Sequence, residues 1–321
     1  MTDAPTSRTT PTIPETARAV RFDGYGHREV LRVEQVPVTP PDAGQVLIAV
    51  RACGTNPGEI AIREGYLDDR FPATFPSGQG TDFAGVVAAV GDDVSAFAVG
   101  DEVIGWTDGR AAQAEFVTVE PDHLVPKPLR VPWEVAGSLF VAAVTAYAAV
   151  RAVDPRAGET VVVSAAAGGV GSLVSQLLRA RGVDVLGIAS PANDDALRAL
   201  GVRPVPYGDD LEERIRSAAP GGVDAVIDTY GEEYVHLGVA LGVPADRIET
   251  IIAYAAAAEI GAHDDGSMTA SSPEILAELA DLVAEGVLRV EIARTFPLDD
   301  VRSAYELLET RHARGKIVLL P

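Results

Sequence analysis

The strongest order in the pattern of apolar and polar positions lies between Thr160 and Gly187, TVVVSAAAGGVGSLVSQLLRARGVDVLG. A β-branched run, Val161 to Val163, meets the small-residue stretch Ala165 to Gly171, and apolar residues then recur at Val170, Leu173, Val174, Leu177 and Leu178. Spacing of i, i+3, i+4, i+7 and i+8 marks one face of a helix, so the unit reads strand, glycine turn, helix. A second apolar strand, Val183 to Ala189, follows and begins a βαβ crossover.

Elsewhere the period changes. From Ala17 to about Pro128 short runs (ARAVRF, LRVEQVPV, QVLIAVRAC, GVVAAV, DEVIGW, AEFVTV) are separated by Gly, Pro and Asp, which predicts an all-β, barrel-like region with one short helix over Pro57 to Gly65. Residues 131–150 read as helices. Beyond the glycine unit, strands are expected at RPVPY, VDAVIDTYG, Ile248 to Ala253, Val287 to Ile292 and KIVLL. Helices are expected at LEERIRSAA, Pro273 to Glu285 and Leu298 to Leu308. This alternation predicts a parallel sheet with helices on both faces. Residues 1–16, rich in Thr and Pro and poor in apolar side chains, read as a disordered tail.

Composition narrows the function. A length of 321 residues suits two domains. The net charge of −21 argues against nucleic acid or an anionic membrane as partner, since phosphate binding needs clustered Lys and Arg. The single cysteine, Cys53, excludes an internal disulfide and a multi-cysteine zinc site. With no long apolar segment or signal peptide, the expected compartment is the cytoplasm.

The glycine turn carries the candidate chemistry. Small residues at Ala166, Gly168 and Gly171 let the backbone turn tightly and let a pyrophosphate approach the amides, while Gly169 and Val170 bring N–H groups of the helix start to the anion. The expected ligand is a dinucleotide, although Ala166 stands where G-x-G-x-x-G has its first glycine. An NAD site usually places a carboxylate after the second strand to hold the ribose; here Ser190 stands there, followed by Asn193, and a 2′-phosphate is tolerated. NADPH is therefore expected over NADH. Asn193 reads equally as a helix cap ahead of Asp194 and Asp195.

Read in order, several motifs resemble the zinc-independent quinone oxidoreductase branch of the medium-chain dehydrogenase/reductase superfamily. They are ARAVRFDGYG with EVLRVEQVPVTPP, GQVLIAVRACGTNPGE, GTDFAGVVAAVGDDVSAFAVGDEVIG, VAAVTAYAAV, SAAAGGVG, VDAVIDTYG and RTFPLDDVRSAYELLETRHARGKIVLLP. The resemblance covers Ala17 to Pro321. It implies an α/β protein with a GroES-like β-barrel catalytic domain, residues 17–134 and 266–321, and a doubly wound Rossmann cofactor domain, residues 135–265, with substrate in the cleft between them. It also implies a homodimer.

By the same resemblance, Asn56 stands where metal-dependent members carry a cysteine, and Gly80-Thr81-Asp82 replaces Gly-His-Glu, so no catalytic metal is expected. The implied reaction is hydride transfer from NADPH to a small quinone or α,β-unsaturated carbonyl, with the protein supplying alignment and water exclusion. Tyr66, shortly after Asn56-Pro57-Gly58-Glu59, matches a substrate-protonating tyrosine of related 2-enoyl thioester reductases, at a spacing one residue shorter. It reads otherwise as an aromatic wall. Asn56 is implied to touch substrate or nicotinamide, or else to end a turn before Pro57.

Thr145 is implied at the nicotinamide ribose, Arg179 at the 2′-phosphate and Tyr207 stacked nearby. Asp228 and Thr229 would line the cofactor, and Lys316 would approach it. Arg179 and Lys316 could equally be solvated charges, and Tyr207 a half-buried ring. A 2-enoyl thioester reductase is the alternative enzyme; a non-catalytic NADPH-binding structural or sensor protein is the alternative of another class. The segment Gly242 to Arg247 departs from the Pro-Gly-Gly turn of many members.

Overall fold

The computed structural model describes residues 11–321, so the tail expected over residues 1–16 lies mostly outside the described residues. Its last residue already belongs to a strand, β1 (Thr16–Phe22). β1 pairs antiparallel with β2 (Arg32–Pro37), and the N–H of Val38 donates to the Glu15 carbonyl.

The chain divides into two compact units. The first gathers the described residues up to Phe140 with Ser272–Ala280 and Ile292–Pro321; the second holds Val141–Ser271 and Asp281–Glu291. In the first, β3 (Val46–Gly54) is followed by α1 (Pro57–Arg63), β4 (Ser77–Gly78), β5 (Asp82–Val90), β6 (Glu102–Trp106), β7 (Phe116–Val119), β8 (Leu124–Pro126) and α2 (Trp133–Ala136). Helix α1 starts where it does because Pro57 sets the backbone of its first position and Asn56 precedes it in extended conformation. β3 is the hub, pairing with both β5 and β7, and its Val46, Ile48, Val50 and Cys53 enter the core beside Phe22, Phe83 and Val103.

The second unit opens with α3 (Phe140–Val153), whose faces are almost all buried, and continues with β9 (Thr160–Val163), α4 (Gly169–Ala180), β10 (Asp184–Ala189), α5 (Asp194–Ala199), β11 (Arg203–Pro206), α6 (Leu211–Ala218), β12 (Ala225–Asp228), α7 (Glu232–Ala240), β13 (Ile248–Thr250) and α8 (Tyr254–Ile260). Its five strands are parallel in the order β11-β10-β9-β12-β13, the doubly wound arrangement with β9 and its glycine turn at the centre. Val162, Leu186, Ile188, Val226 and Ile248 form its core with side chains of the covering helices. β13 stops at Thr250, short of the expected Ala253, because Tyr254-Ala255-Ala256-Ala257-Ala258 is a strong helix former and becomes α8.

The chain then passes through α9 (Pro273–Ala284) back to the first unit, with β14 (Ile292–Pro297), α10 (Val301–Glu309) and β15 (Lys316–Leu320). The strand expected over 287–292 is displaced to β14, since Ile292 to Pro297 are the residues that find partners along β15. β15 pairs antiparallel with β3 (Val318↔Gly54, Leu319↔Cys53), and α10 buries Val301, Ala304 and Tyr305, an i, i+3, i+4 face. Among the described residues no helix is long and apolar enough to cross a membrane.

Candidate active site

The turn after β9 is built from residues too small to obstruct it. Ala165 takes φ +42°, Gly168 precedes α4 in extended conformation and offers no side chain to cap it, and the Gly168 N–H bonds the Ala165 carbonyl at 2.8 Å. A β-carbon on Gly171 would stand 2.3 Å from that carbonyl oxygen, so only glycine fits. Without a side-chain cap the first N–H groups of α4 are left for an anion. Ala166 in the first glycine position is balanced across the sheet: it is fully buried, and a β-carbon on Gly187 of β10 would meet the Ala166 methyl at 2.8 Å. The missing glycine of the loop has its counterpart in the neighbouring strand.

Asp228, at the end of β12, ties this edge together. Its Oδ1 accepts from Ser164 Oγ at 2.6 Å and from the N–H groups of Tyr230 and Gly231, and its Oδ2 accepts from Thr250 Oγ1 at 2.7 Å. Thr229 closes the circuit, its N–H donating to Ser164 Oγ and its hydroxyl to the Ser164 carbonyl. Burial raises the Asp228 pKa against the pull of these donors. The carboxyl thus fastens the ends of β9, β12 and β13.

Ser190 follows β10, with its Oγ accepting from Asn193 Nδ2 at 2.9 Å, and Tyr207 follows β11 with its side chain largely exposed. Ala166, Gly168, Gly169, Val170, Gly171, Ser190, Asn193, Tyr207, Asp228 and Thr229 therefore share the carboxyl edge of one sheet. Thr145 is buried within α3. Arg179 is not brought to this edge. It lies in the last turn of α4, ten positions after Gly169, which at 1.5 Å per residue is about 15 Å along the helix. Its Nη1 donates to the Val183 carbonyl at 2.7 Å, at the opposite end of β10. α4 must run back antiparallel to β9 to reach β10, and that geometry carries Arg179 away from any phosphate at the glycine turn.

In the first unit a second constellation forms around Asn56. Its Nδ2 donates to Glu59 Oε1 and Asp82 Oδ2, both at 3.2 Å, and its Oδ1 accepts from Lys316 Nζ at 2.5 Å. Lys316 also donates to the Thr55 carbonyl at 3.0 Å and stands 3.8 Å from Asp82 Oδ2. Glu59 Oε2 accepts from Tyr305 at 2.5 Å, and Gln79 and Gln113 donate to the Tyr305 oxygen. All these side chains are buried. Burial lowers the Lys316 pKa, opposed by Asp82 and Glu59, and raises that of Glu59.

Both amide hydrogens of Asn56 and the ammonium of Lys316 are thus committed inside the unit. Asn56 caps α1 just ahead of Pro57, the second of its two expected roles, and its amide positions its neighbours; Lys316 belongs to this network and is not a solvated charge. The donor set does not fit a metal, because a cation between Asn56 and Asp82 would meet an ammonium. Among the described residues no three His, Cys, Asp or Glu side chains are placed to hold a metal ion.

Tyr66 is different. It follows Gly65, whose φ is +82° and where a β-carbon would press on the Tyr25 ring at 3.2 Å. Tyr25 pins the loop, its hydroxyl bonded to Asp68 and to the Ala73 N–H and its ring edge-on to Phe75. The Tyr66 side chain is 74% exposed.

Residues 42–154 match the alcohol dehydrogenase GroES-like domain, and residues 200–319 match the model described as zinc-binding dehydrogenase. The mouse quinone oxidoreductase is 30% identical over 326 residues, covering 94% of this chain and 97% of the relative. The chain belongs to the quinone oxidoreductase branch of the medium-chain dehydrogenase/reductase superfamily. It is an oxidoreductase of a family that uses a nicotinamide cofactor. Among solved structures of the superfamily, the quinone oxidoreductase from Coxiella burnetii superposes with TM-score 0.86 at 32% identity, covering 95% of this chain and 99% of that one. The CurK enoyl reductase superposes with TM-score 0.83 at 25% identity, covering 95% and 99%.

Proposed function

We propose that this oxidoreductase reduces a quinone or an α,β-unsaturated carbonyl with NADPH, by direct hydride transfer without a metal. The observation that carries this reading is the Lys316 ammonium buried against Asn56 and Asp82, so that a protein cation already occupies the side chain that stands, by resemblance, where metal-dependent members carry a cysteine. When bound, the dihydronicotinamide supplies the hydride. The chain's own residues do the rest: the amides of Gly169 to Gly171 bind pyrophosphate, and Asp228 holds the loop Thr229 to Gly231 in place. The exposed Tyr66 hydroxyl gives a proton to, or polarises, the acceptor oxygen. A conjugated acceptor needs little more, because its reduced form is stabilised by its own delocalisation.

NADPH is preferred over NADH in this reading because Ser190, not a carboxylate, follows β10. The CurK likeness favours a second reading, a 2-enoyl thioester reductase. Against it, Arg63 is fully buried, its ring of contacts made by Gly26, Glu64, Glu309 and the Tyr305 face, and cannot serve a carrier phosphate. A cytoplasmic homodimer completes the proposal; light scattering that returns a monomer rejects the dimer.

The deciding experiment is cofactor oxidation with NADPH and NADH against quinone, enone and enoyl-thioester acceptors, with and without a chelator. Turnover of quinone or enone that is indifferent to chelator supports the proposal. Activity confined to enoyl thioesters moves it to the second reading, and chelator-sensitive turnover overturns the metal-free mechanism.

A further inference from the structure

With Arg179 at the far end of α4, a 2′-phosphate at the end of β10 needs another cation. We propose that Arg214 is the residue by which this chain distinguishes NADPH from NADH, an inference that rests on the nicotinamide reading above. β10 and β11 are parallel neighbours with Ala189 beside Pro206, so Ser190 and Tyr207 leave the sheet side by side at its carboxyl edge. Arg214 lies in the first turn of α6, its N–H donating to the Asp210 carbonyl, and its side chain doubles back to that same edge, Nε donating to the Pro206 carbonyl at 3.1 Å. The guanidinium is therefore anchored through Nε one residue from Tyr207 and across one strand spacing from Ser190.

Neither of its remaining nitrogens makes a hydrogen bond. Nη2 is closed off from solvent without a hydrogen-bond partner, and Nη1 stands 3.9 Å from Asp210 Oδ2, outside hydrogen-bonding range. Neighbouring arginines are occupied: Arg198 by Asp194 and Asp195, Arg203 by Asp184 and the Ala218 carbonyl, Arg216 by Glu212 and the Ala240 carbonyl. Gly208 makes the room, since a β-carbon there would stand 3.2 Å from Nη2, at a φ of +135° that disfavours a side chain in any case. About a third of the Arg214 side chain is accessible, 36%, so the guanidinium can turn outward about its Nε anchor. A guanidinium held by Nε offers two parallel N–H groups to a phosphate, the fork geometry that an ammonium cannot supply. Asp210 competes for the same nitrogens, which sets the preference at a moderate level.

The test is equilibrium binding of NADPH and NADH, and of 2′,5′-ADP and 5′-AMP, to wild type, Arg214→Gln, Asp210→Asn and Arg179→Gln. Arg214→Gln should weaken NADPH and 2′,5′-ADP by about tenfold or more and leave NADH and 5′-AMP within about twofold. Asp210→Asn, an exposed substitution that does not depend on the folding of the arginine variant, should tighten NADPH alone. Arg179→Gln should shift neither cofactor selectively. A preference for NADPH retained in Arg214→Gln and unchanged in Asp210→Asn overturns the assignment while leaving the cofactor reading intact. A wild type that binds 5′-AMP as tightly as 2′,5′-ADP overturns both.

Discussion

Lys316 Nζ and Asn56 Oδ1 are 2.5 Å apart although 260 positions separate them in the chain. The contact brings an ammonium into a buried pocket that also contains the Asp82 carboxylate, so each charge helps offset the burial of the other. Removing one partner of a buried ionic group leaves the other unpaired and costs about 3–5 kcal/mol. Lys316→Ala should lower unfolding free energy by that order in denaturant titrations. Adding Asp82→Asn should recover part of the loss; strictly additive losses would mean that the two groups do not compensate each other.

Glu249 of β13 is fully buried, and burial, with the nearby charges of Asp265, Asp264 and Asp228 adding to it, pushes its pKa up to about 9 from an ordinary 4.5. The folded protein keeps this proton where the unfolded chain releases it. Stability must therefore fall as pH rises from about 4.5 towards about 9 and flatten above that, by at most about 1.4 kcal/mol per pH unit from this group. Between about pH 5 and about pH 7.5 the loss is roughly 3 kcal/mol. Glu249→Gln should remove this slope in thermal melts across that window; a slope identical to wild type would show that Glu249 ionises normally.

Tyr66 offers its hydroxyl without supporting the fold, being 74% exposed, with its N–H on the Ala61 carbonyl as its hydrogen bond to the rest of the unit. Tyr66→Phe should leave the melting temperature and the NADPH Kd unchanged. If the hydroxyl donates the proton, kcat with an enone should fall by about a hundredfold. An unchanged kcat removes the hydroxyl from the reaction.

The exchange of a methyl between Ala166 and Gly187 predicts coupled mutants. Gly187→Ala would force a β-carbon to within 2.8 Å of the Ala166 methyl and 2.7 Å of Val202 Cγ1, overpacking that costs about 1–3 kcal/mol. Ala166→Gly in the same chain should restore part of the stability and of the cofactor affinity, as calorimetry and fluorescence titration would show. Equal damage with and without the second change would argue against the exchange.

The glycine turn was legible because its information is local. Val161 to Val163, the small residues and the i, i+3, i+4 face of α4 lie within one short stretch, and the same is true of α1 behind Asn56-Pro57. The Arg179 expectation failed on direction: residue spacing places a side chain on a helix, whereas its end of the sheet follows from the return path of that helix. Asn56 was recognised as significant, but its partner Lys316 comes from the other end of the chain, and no period or motif announces such a pair. Arg214 looked like one charge of LEERIRSAA; only its turn back onto Pro206 distinguishes it from Arg216, two positions on.

The return of the chain to β3 through β15 also sets a timetable for synthesis. Buried residues from Phe296 to Leu319 close a core whose other buried residues precede Lys127, and the whole second unit is made in between. At roughly 5–20 residues per second the ribosome takes roughly 10–40 seconds to pass from β8 to β15. Throughout that interval the nascent first unit carries Cys53, Asp82 and part of β3 without their partners in β15. Chaperone dependence should therefore concentrate on this unit, while the five-stranded unit, continuous over almost its entire length, can fold as it emerges.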